Sequence, residues 1–407
     1  MKTFKRLALA MAFTGLGAVQ PALAQTEPGI TDTSIKIGLF SPLSGAGMAY
    51  GFDVINAAKM WYDKINKDGG IHGRKIELVI EDTRCNANDL VAAVKKLVEQ
   101  DKVFLLNGGS CSSAVVGARE YVERAKVPFL MLNASGDGAL YPPSKYIYGA
   151  FSISQHALGG SAVQFAAEHL KAKKIGYINH DDAYGAWNLE AAEVQAKQLG
   201  DVSLNVQSIN ANINDVTAPM LKIRAANPDV LVLTTYARPA ALIIKKAREL
   251  GWNKPIVLTV TGTADLTQLV ENVGGPDALK NFYIQDVLAG LPTDPKLAWV
   301  YDMYKEYYPD LASKPGHPQS YMPYGLPSAM SVVQALKDAG PQPTREKVLA
   351  ALEHLKLETN VMAAPVEFTP IDHAALKSAI YIKFDGKTKE LVPGTFKSIW
   401  QYQPKTQ

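Results

Sequence analysis

Apolar residues recur along this chain in two alternating rhythms. Short runs in which nearly every position is apolar, at 35–40, 76–80, 103–106 and 127–132, alternate with segments whose apolar residues fall three and four apart. Val54, Ala57, Ala58, Trp61 and Ile65 form one such stripe, closed by Asp68-Gly69-Gly70, and Val91, Val94, Leu97 and Val98 form another. The first kind of run predicts strands buried on both faces, and the second predicts amphipathic helices with a glycine stop. Strand and helix in strict alternation imply a parallel sheet flanked by helices.

A polar and aromatic stretch over 146–160 interrupts the rhythm, which resumes with a helix at 161–170 and a strand at 174–179. Helices at 185–199, 217–226 and 240–250 then alternate with strands at 202–209, 230–234 and 256–260, giving a second α/β unit of similar size. Past Phe282 prolines break the alternation around helices at 295–308, 324–339 and 345–355. After a short apolar run at 366–368, the stretches 379–384 and 397–402 read as a closing antiparallel pair.

The start of the chain follows neither rhythm. Lys2, Lys5 and Arg6 precede an apolar run at 7–19 and then Pro21-Ala22-Leu23-Ala24. A basic region, an apolar region and an Ala-x-Ala site predict a signal peptide over 1–24, cleaved near Ala24. The run is too short, and too broken by Thr14, Gly15 and Gly17, for a transmembrane anchor. The expected mature protein is therefore exported and not itself membrane-embedded.

Charge changes the picture only by exclusion. Basic residues number 42 and acidic residues 39, and removal of Lys2, Lys5 and Arg6 leaves 39 of each. A neutral mature chain gives no support to a nucleic-acid partner. The two cysteines, Cys85 and Cys111, each follow a predicted strand in adjacent βα units, and in an oxidising compartment they are expected to pair. They are too few to hold a structural zinc, so no metal and no other cofactor is expected.

The candidate chemistry sits in loops that follow strands. Gly108-Gly109-Ser110-Cys111-Ser112-Ser113 lies between a strand and a helix start, where unpaired backbone N–H groups and the helix dipole favour an anion. Ser112 and Ser113 add hydroxyl donors. Small or hydrogen-bonding residues also follow other strands, at 41–51, at 133–137, at 180–185, at 236–238 and at 261–263. Ligands of open α/β sheets bind beyond the carboxyl ends of the strands, so two such units facing each other would enclose one cleft. Catalytic signatures are weak: in Gly45-x-Gly47-x-x-x-Gly51 the third glycine comes one place late for a dinucleotide loop, and no Walker A, His-Glu-x-x-His or Gly-x-Ser-x-Gly sequence occurs.

Five stretches then carry a family likeness: Ile37-Gly38-Leu39-Phe40-Ser41-Pro42-Leu43-Ser44-Gly45, Ile65-Asn66-Lys67-Asp68-Gly69-Gly70-Ile71-His72-Gly73, Glu81-Asp82-Thr83-Arg84-Cys85, Cys111-Ser112-Ser113, and the loop from Asp181 to Gly185. In order and spacing the chain resembles the type I periplasmic solute-binding proteins of the leucine/isoleucine/valine class, which feed ABC importers, along nearly all of its mature length. The resemblance implies an α/β fold of two Rossmann-like lobes joined by three crossovers, with 25–153 and 286–366 in lobe one and 154–285 and 367–407 in lobe two. It implies a non-enzymatic receptor that closes on a small carboxylate and delivers it to an inner-membrane ABC permease. By position, Ser112 holds the ligand carboxylate, Ser135 adds backbone contacts, and Tyr50, Tyr184 and Tyr236 supply aromatic contacts.

Two departures bear on the ligand. Where amino-acid binders keep a glutamate for the ligand ammonium this sequence has Thr261, and where they keep a threonine it has Asp137. A buried ammonium without an anionic partner is costly. Either Asp137 takes over that task, or the ligand is an aromatic or other organic acid lacking an ammonium, the reading slightly favoured here over an apolar amino acid. Arg238 would suit a second acidic group or a stacked ring. Two other classes stay open: a ligand-sensing module for a membrane-bound receptor, and a secreted hydrolase with Cys111 as nucleophile.

Overall fold

The computed structural model describes residues 27–45, 47–260, 266–291, 293–318 and 321–403. The expected signal peptide and Thr261 lie outside the described residues. Two sheets organise the rest. The first runs in the order Ala374–Leu376, Ile147–Ile153, Phe129–Met131, Leu105–Gly108, Ser34–Ser41, Lys75–Asp82, every pair parallel. The second runs Lys389–Leu391, Ser378–Phe384, Phe282–Asp286, Ile256–Leu258, Val230–Thr234, Lys174–His180, Ser203–Ile209, parallel except around Ser378–Phe384.

The apolar runs of the sequence follow from burial of both sheet faces. Along neighbouring strands, Ile37, Leu39, Leu105 and Leu130 enter one apolar cluster while Phe40, Leu106, Phe129 and Met131 enter another. Successive strand residues point to opposite faces, so a strand covered on both sides has to be apolar throughout. Helix Ala87–Glu99 covers one face with Leu90, Val94 and Leu97, and helix Ser112–Ala125 adds Val115, Ala118 and Val122. The cluster on the other face continues from Ile37 through Phe151 to Val232 and Val257, so the two lobes share buried apolar packing at the hinge.

Three strand-to-strand passages connect the two sheets. The stretch 146–160 is not a pause: it forms the strand Ile147–Ile153 of the first sheet and the helix Gln155–Glu168 of the second lobe, with Ser154 accepting from the Ala157 N–H at 3.1 Å as its N-cap. The polar look of that stretch comes from the cap itself. The second passage follows Asp286. The third falls at Lys377, not at 366, because Ala374–Leu376 joins the edge of the first sheet beside Ile147–Ile153 before Ser378–Phe384 enters the second. In the expected closing pair, Phe396–Lys397 meets Ser378 and Ala379, and the chain beyond leaves the sheet. Trp400 stacks on His156 instead, its ring centroid 3.6 Å away.

Cys85 and Cys111 form a disulfide with Cα atoms 5.5 Å apart. It joins the loop after one strand to the N-cap of helix Ser112–Ala125. The loop ahead of Tyr50 rests on this bridge: a Cβ at Gly47 would fall 2.4 Å from Cys85 Cβ, so that position has to be glycine. Replacing both cysteines by alanine is expected to lower stability by about 2 to 4 kcal/mol, since the bridge closes a 26-residue span in the unfolded chain. A urea-unfolding midpoint unchanged in the double variant would contradict this.

Candidate functional site

Strand-end loops of the two lobes face each other, close enough for the Tyr236 phenol of the second lobe to feel Tyr50 of the first. On the first lobe, Cys111 caps helix Ser112–Ala125 through its carbonyl, which accepts from the Ala114 and Val115 N–H groups at 3.1 Å each. Ser112 and Ser113 are therefore the first two residues of the helix, where backbone N–H groups have no carbonyl ahead of them inside the helix. Ser112 is half-buried and Ser113 exposed. The buried Ser135 donates its backbone N–H to Ser112 Oγ at 3.1 Å. That bond fixes the hydroxyl as an acceptor from the protein and leaves its own proton for an anion. Asn133 donates through Nδ2 to the Tyr50 carbonyl at 2.9 Å, which draws the loop of Tyr50 to the same place.

The second lobe contributes aromatic walls. The rings of Tyr184 and Tyr236 stack with centroids 5.1 Å apart, and His180 lies 4.5 Å from the Tyr236 ring. His180 Nε2 accepts from the Tyr236 backbone N–H at 2.9 Å, which fixes that nitrogen as unprotonated. Burial pushes the His180 imidazole below its ordinary range, in the same sense. The approach of helix Ala183–Leu199 to the strand end is set by Gly185, whose N–H donates to Asp182 Oδ1 at 3.0 Å.

Tyr321, which the sequence reading passed over, spans the cleft. Its ring packs against Tyr50 at 5.7 Å and Tyr324 at 5.0 Å, and its hydroxyl donates to the Val260 carbonyl of the second lobe at 2.9 Å. Tyr324 in turn stacks on Phe151 at 4.3 Å and donates to Asp286 at 2.9 Å. An aromatic column thus runs from the cleft to the first two passages of the hinge. Tyr236 feels both lobes: burial first, then Tyr184, Asp182 and Tyr50, raises its phenol above the usual range. Burial likewise raises Tyr50. The sequence shows this column only as Tyr321-Met322-Pro323-Tyr324-Gly325, where a proline precedes the predicted helix at 324–339.

Two residues expected in the cleft are engaged elsewhere. Asp137 is 1% exposed, and its carboxylate accepts from the backbone N–H groups of Gln155 at 3.1 Å and His156 at 3.2 Å and contacts His156 Nδ1 at 2.5 Å. It caps the helix of the second lobe and does not stand ready for a ligand ammonium. Arg238 is exposed and donates to the Ile213 carbonyl at 3.1 Å and to Asn214 Oδ1, so its guanidinium is held by the loop after Ser203–Ile209. With Cys111 in the disulfide, no thiol remains to act as a nucleophile there.

Comparison with known proteins bears on the family and the fold. The family described as periplasmic binding protein matches residues 34–388. An amino acid binding protein of Pseudomonas aeruginosa is 27% identical over 342 residues, covering 83% of this chain and 86% of that protein. Among solved structures, the branched-chain amino acid transporter substrate binding protein of Streptococcus pneumoniae in complex with isoleucine superposes with a TM-score of 0.71 at 24% identity, over 88% of this chain and 99% of that one. A solute-binding protein of an ABC transporter from R. palustris in complex with 4-hydroxybenzoate gives a TM-score of 0.73 at 18% identity, over 90% and 97%. At these identities the two structures speak for the fold, with its two lobes.

Proposed function

We propose, since this chain belongs to the family of periplasmic binding proteins, that its cleft captures a small organic acid lacking an ammonium, an aromatic carboxylate being the best fit. The exported protein, freed of residues 1–24, would hand that ligand to an inner-membrane permease. One observation carries the choice of ligand: Asp137, the carboxylate expected to meet an ammonium if there is one, is spent on His156 and a helix N-terminus. Asp182, near the second-lobe wall, is spent on the Gly185 N–H. Among the described residues both of these carboxylates are therefore engaged, whereas a carboxylate ligand finds Ser112 and the helix start. Tyrosine rings on both walls suit a flat or apolar body.

A thermal-shift screen on refolded, ligand-stripped protein tests this, because a ligand that binds only the folded state raises the midpoint. Stabilisation by 4-hydroxybenzoate or related amine-free acids is expected. Stabilisation by L-leucine alone would overturn the ligand class and return the amino-acid reading.

Closure supplies a second test. Tyr321→Phe keeps the ring against Tyr50 but removes the hydroxyl that reaches Val260, and affinity for the bound acid is expected to fall about two- to tenfold. Calorimetry showing equal affinity would mean that this bond takes no part in closure.

A further inference from the structure

We infer that Trp187 and Gly138 form the stop that sets how far the two lobes close, Gly138 being a positioning residue because it lets the indole come down fully. The inference rests on the two-lobe receptor reading, and goes beyond it. Gly138 lies in the short helix Asp137–Leu140 of the first lobe, three residues past Ser135. Trp187 lies three residues past Tyr184 on the second-lobe helix Ala183–Leu199, and residues three apart on a helix share a face. A Cβ built on Gly138 would fall 3.1 Å from Trp187 Cη2, 3.4 Å from Trp187 Cζ2 and 3.2 Å from Val116 Cγ2. The Trp187 contact crosses between the lobes. The Val116 contact stays within the first lobe, one turn past Ser112 on the seat's own helix.

Neither side of this contact can easily give way. Beneath the indole, Arg119 donates through Nη1 to the carbonyls of Gly138 at 3.3 Å and Ala139 at 3.1 Å, and through Nη2 to that of Pro142 at 2.6 Å. Gly136 rests on the seat, since a Cβ there would fall 3.2 Å from the Ser112 carbonyl oxygen. On the other side, a Cβ on Gly159 would fall 2.0 Å from the Asn188 carbonyl oxygen, so the helix of Trp187 is seated directly on Gln155–Glu168 and moves with it. Asp137, next to Gly138, accepts from the backbone N–H groups of Gln155 and His156 and keeps the lobes joined at this point. A body added beside such a pivot opens the far end of the cleft by more than its own size. The backbone at 138 is helical and does not itself require glycine. The ring of Trp187 does, because a close-packed contact has no room for another methyl.

Paired spin labels at Ala92→Cys and Lys245→Cys, exposed positions on helices of the two lobes, report the closed-to-open ratio without any ligand, since both native cysteines are locked in the disulfide. Gly138→Ala is expected to lower that ratio about five- to tenfold while leaving the urea-unfolding midpoint nearly unchanged. In a Trp187→Ala background the same substitution at 138 is expected to change the ratio little, because the ring it would meet is gone. In a Val116→Ala background the full fall is expected to return. A ratio that Gly138→Ala leaves unchanged, or the absence of a closed population in the labelled protein, would overturn the proposal. So would an equal fall with and without the indole, or a fall abolished by Val116→Ala alone, either of which places the effect inside the first lobe. Because the measurement uses no ligand, failure of the proposed ligand class leaves its outcome intact.

Discussion

Gly185→Ala is expected to destabilise the protein by about 3 kcal/mol or more and to abolish ligand binding with it. A Cβ at that position would fall 1.8 Å from the His180 carbonyl oxygen and 2.5 Å from its carbon, both backbone atoms at the end of a central strand. Neither atom can rotate away, so the start of helix Ala183–Leu199 has to lift off the sheet. The Asp182 cap on the Gly185 N–H goes with it, and so does the stacking of Tyr184 on Tyr236. Chemical denaturation gives the stability loss directly, and an unchanged unfolding midpoint would contradict the close approach.

Ser112→Ala is expected to weaken ligand binding about ten- to hundredfold, or about 1 to 3 kcal/mol, while leaving the fold nearly as stable. The hydroxyl has two tasks, receiving the Ser135 N–H at 3.1 Å and offering its own proton to the ligand, and alanine removes both. The helix itself survives because Cys111, not Ser112, occupies the N-cap. Titration of the best acid from the thermal-shift screen into both proteins measures the loss, and equal affinities would remove Ser112 from the seat.

The lobes were legible because burial on both sheet faces leaves no choice of residue along a strand, so runs such as 103–106 stand out against any background. The strand-to-helix turn at 108–113 was legible too, because two glycines and three serines around a cysteine end the apolar run before the next helical stripe begins. Legibility failed where a polar residue serves the fold. Ser154 is a cap inside what looked like an interruption, and Asp137 is a cap across the hinge, a role set by a residue 18 positions later that no local pattern announces. It failed again at Tyr321, whose partners Tyr50 and Val260 lie far away in the chain and meet it only through the third dimension. Arg238 shows the same limit in reverse: its guanidinium had a nearer partner in the loop at 213–214 than any ligand.

On the proposed reading, the cleft recognises a carboxylate through Ser112 and the start of its helix. The most direct measurement is calorimetric titration of ligand-stripped protein with 4-hydroxybenzoate and, in parallel, with 4-hydroxybenzamide, which keeps the ring and removes the charge. Binding of the acid is expected, with a loss of at least about tenfold for the amide, the difference between a charge-assisted and a neutral contact at the seat. Equal binding of acid and amide would contradict it.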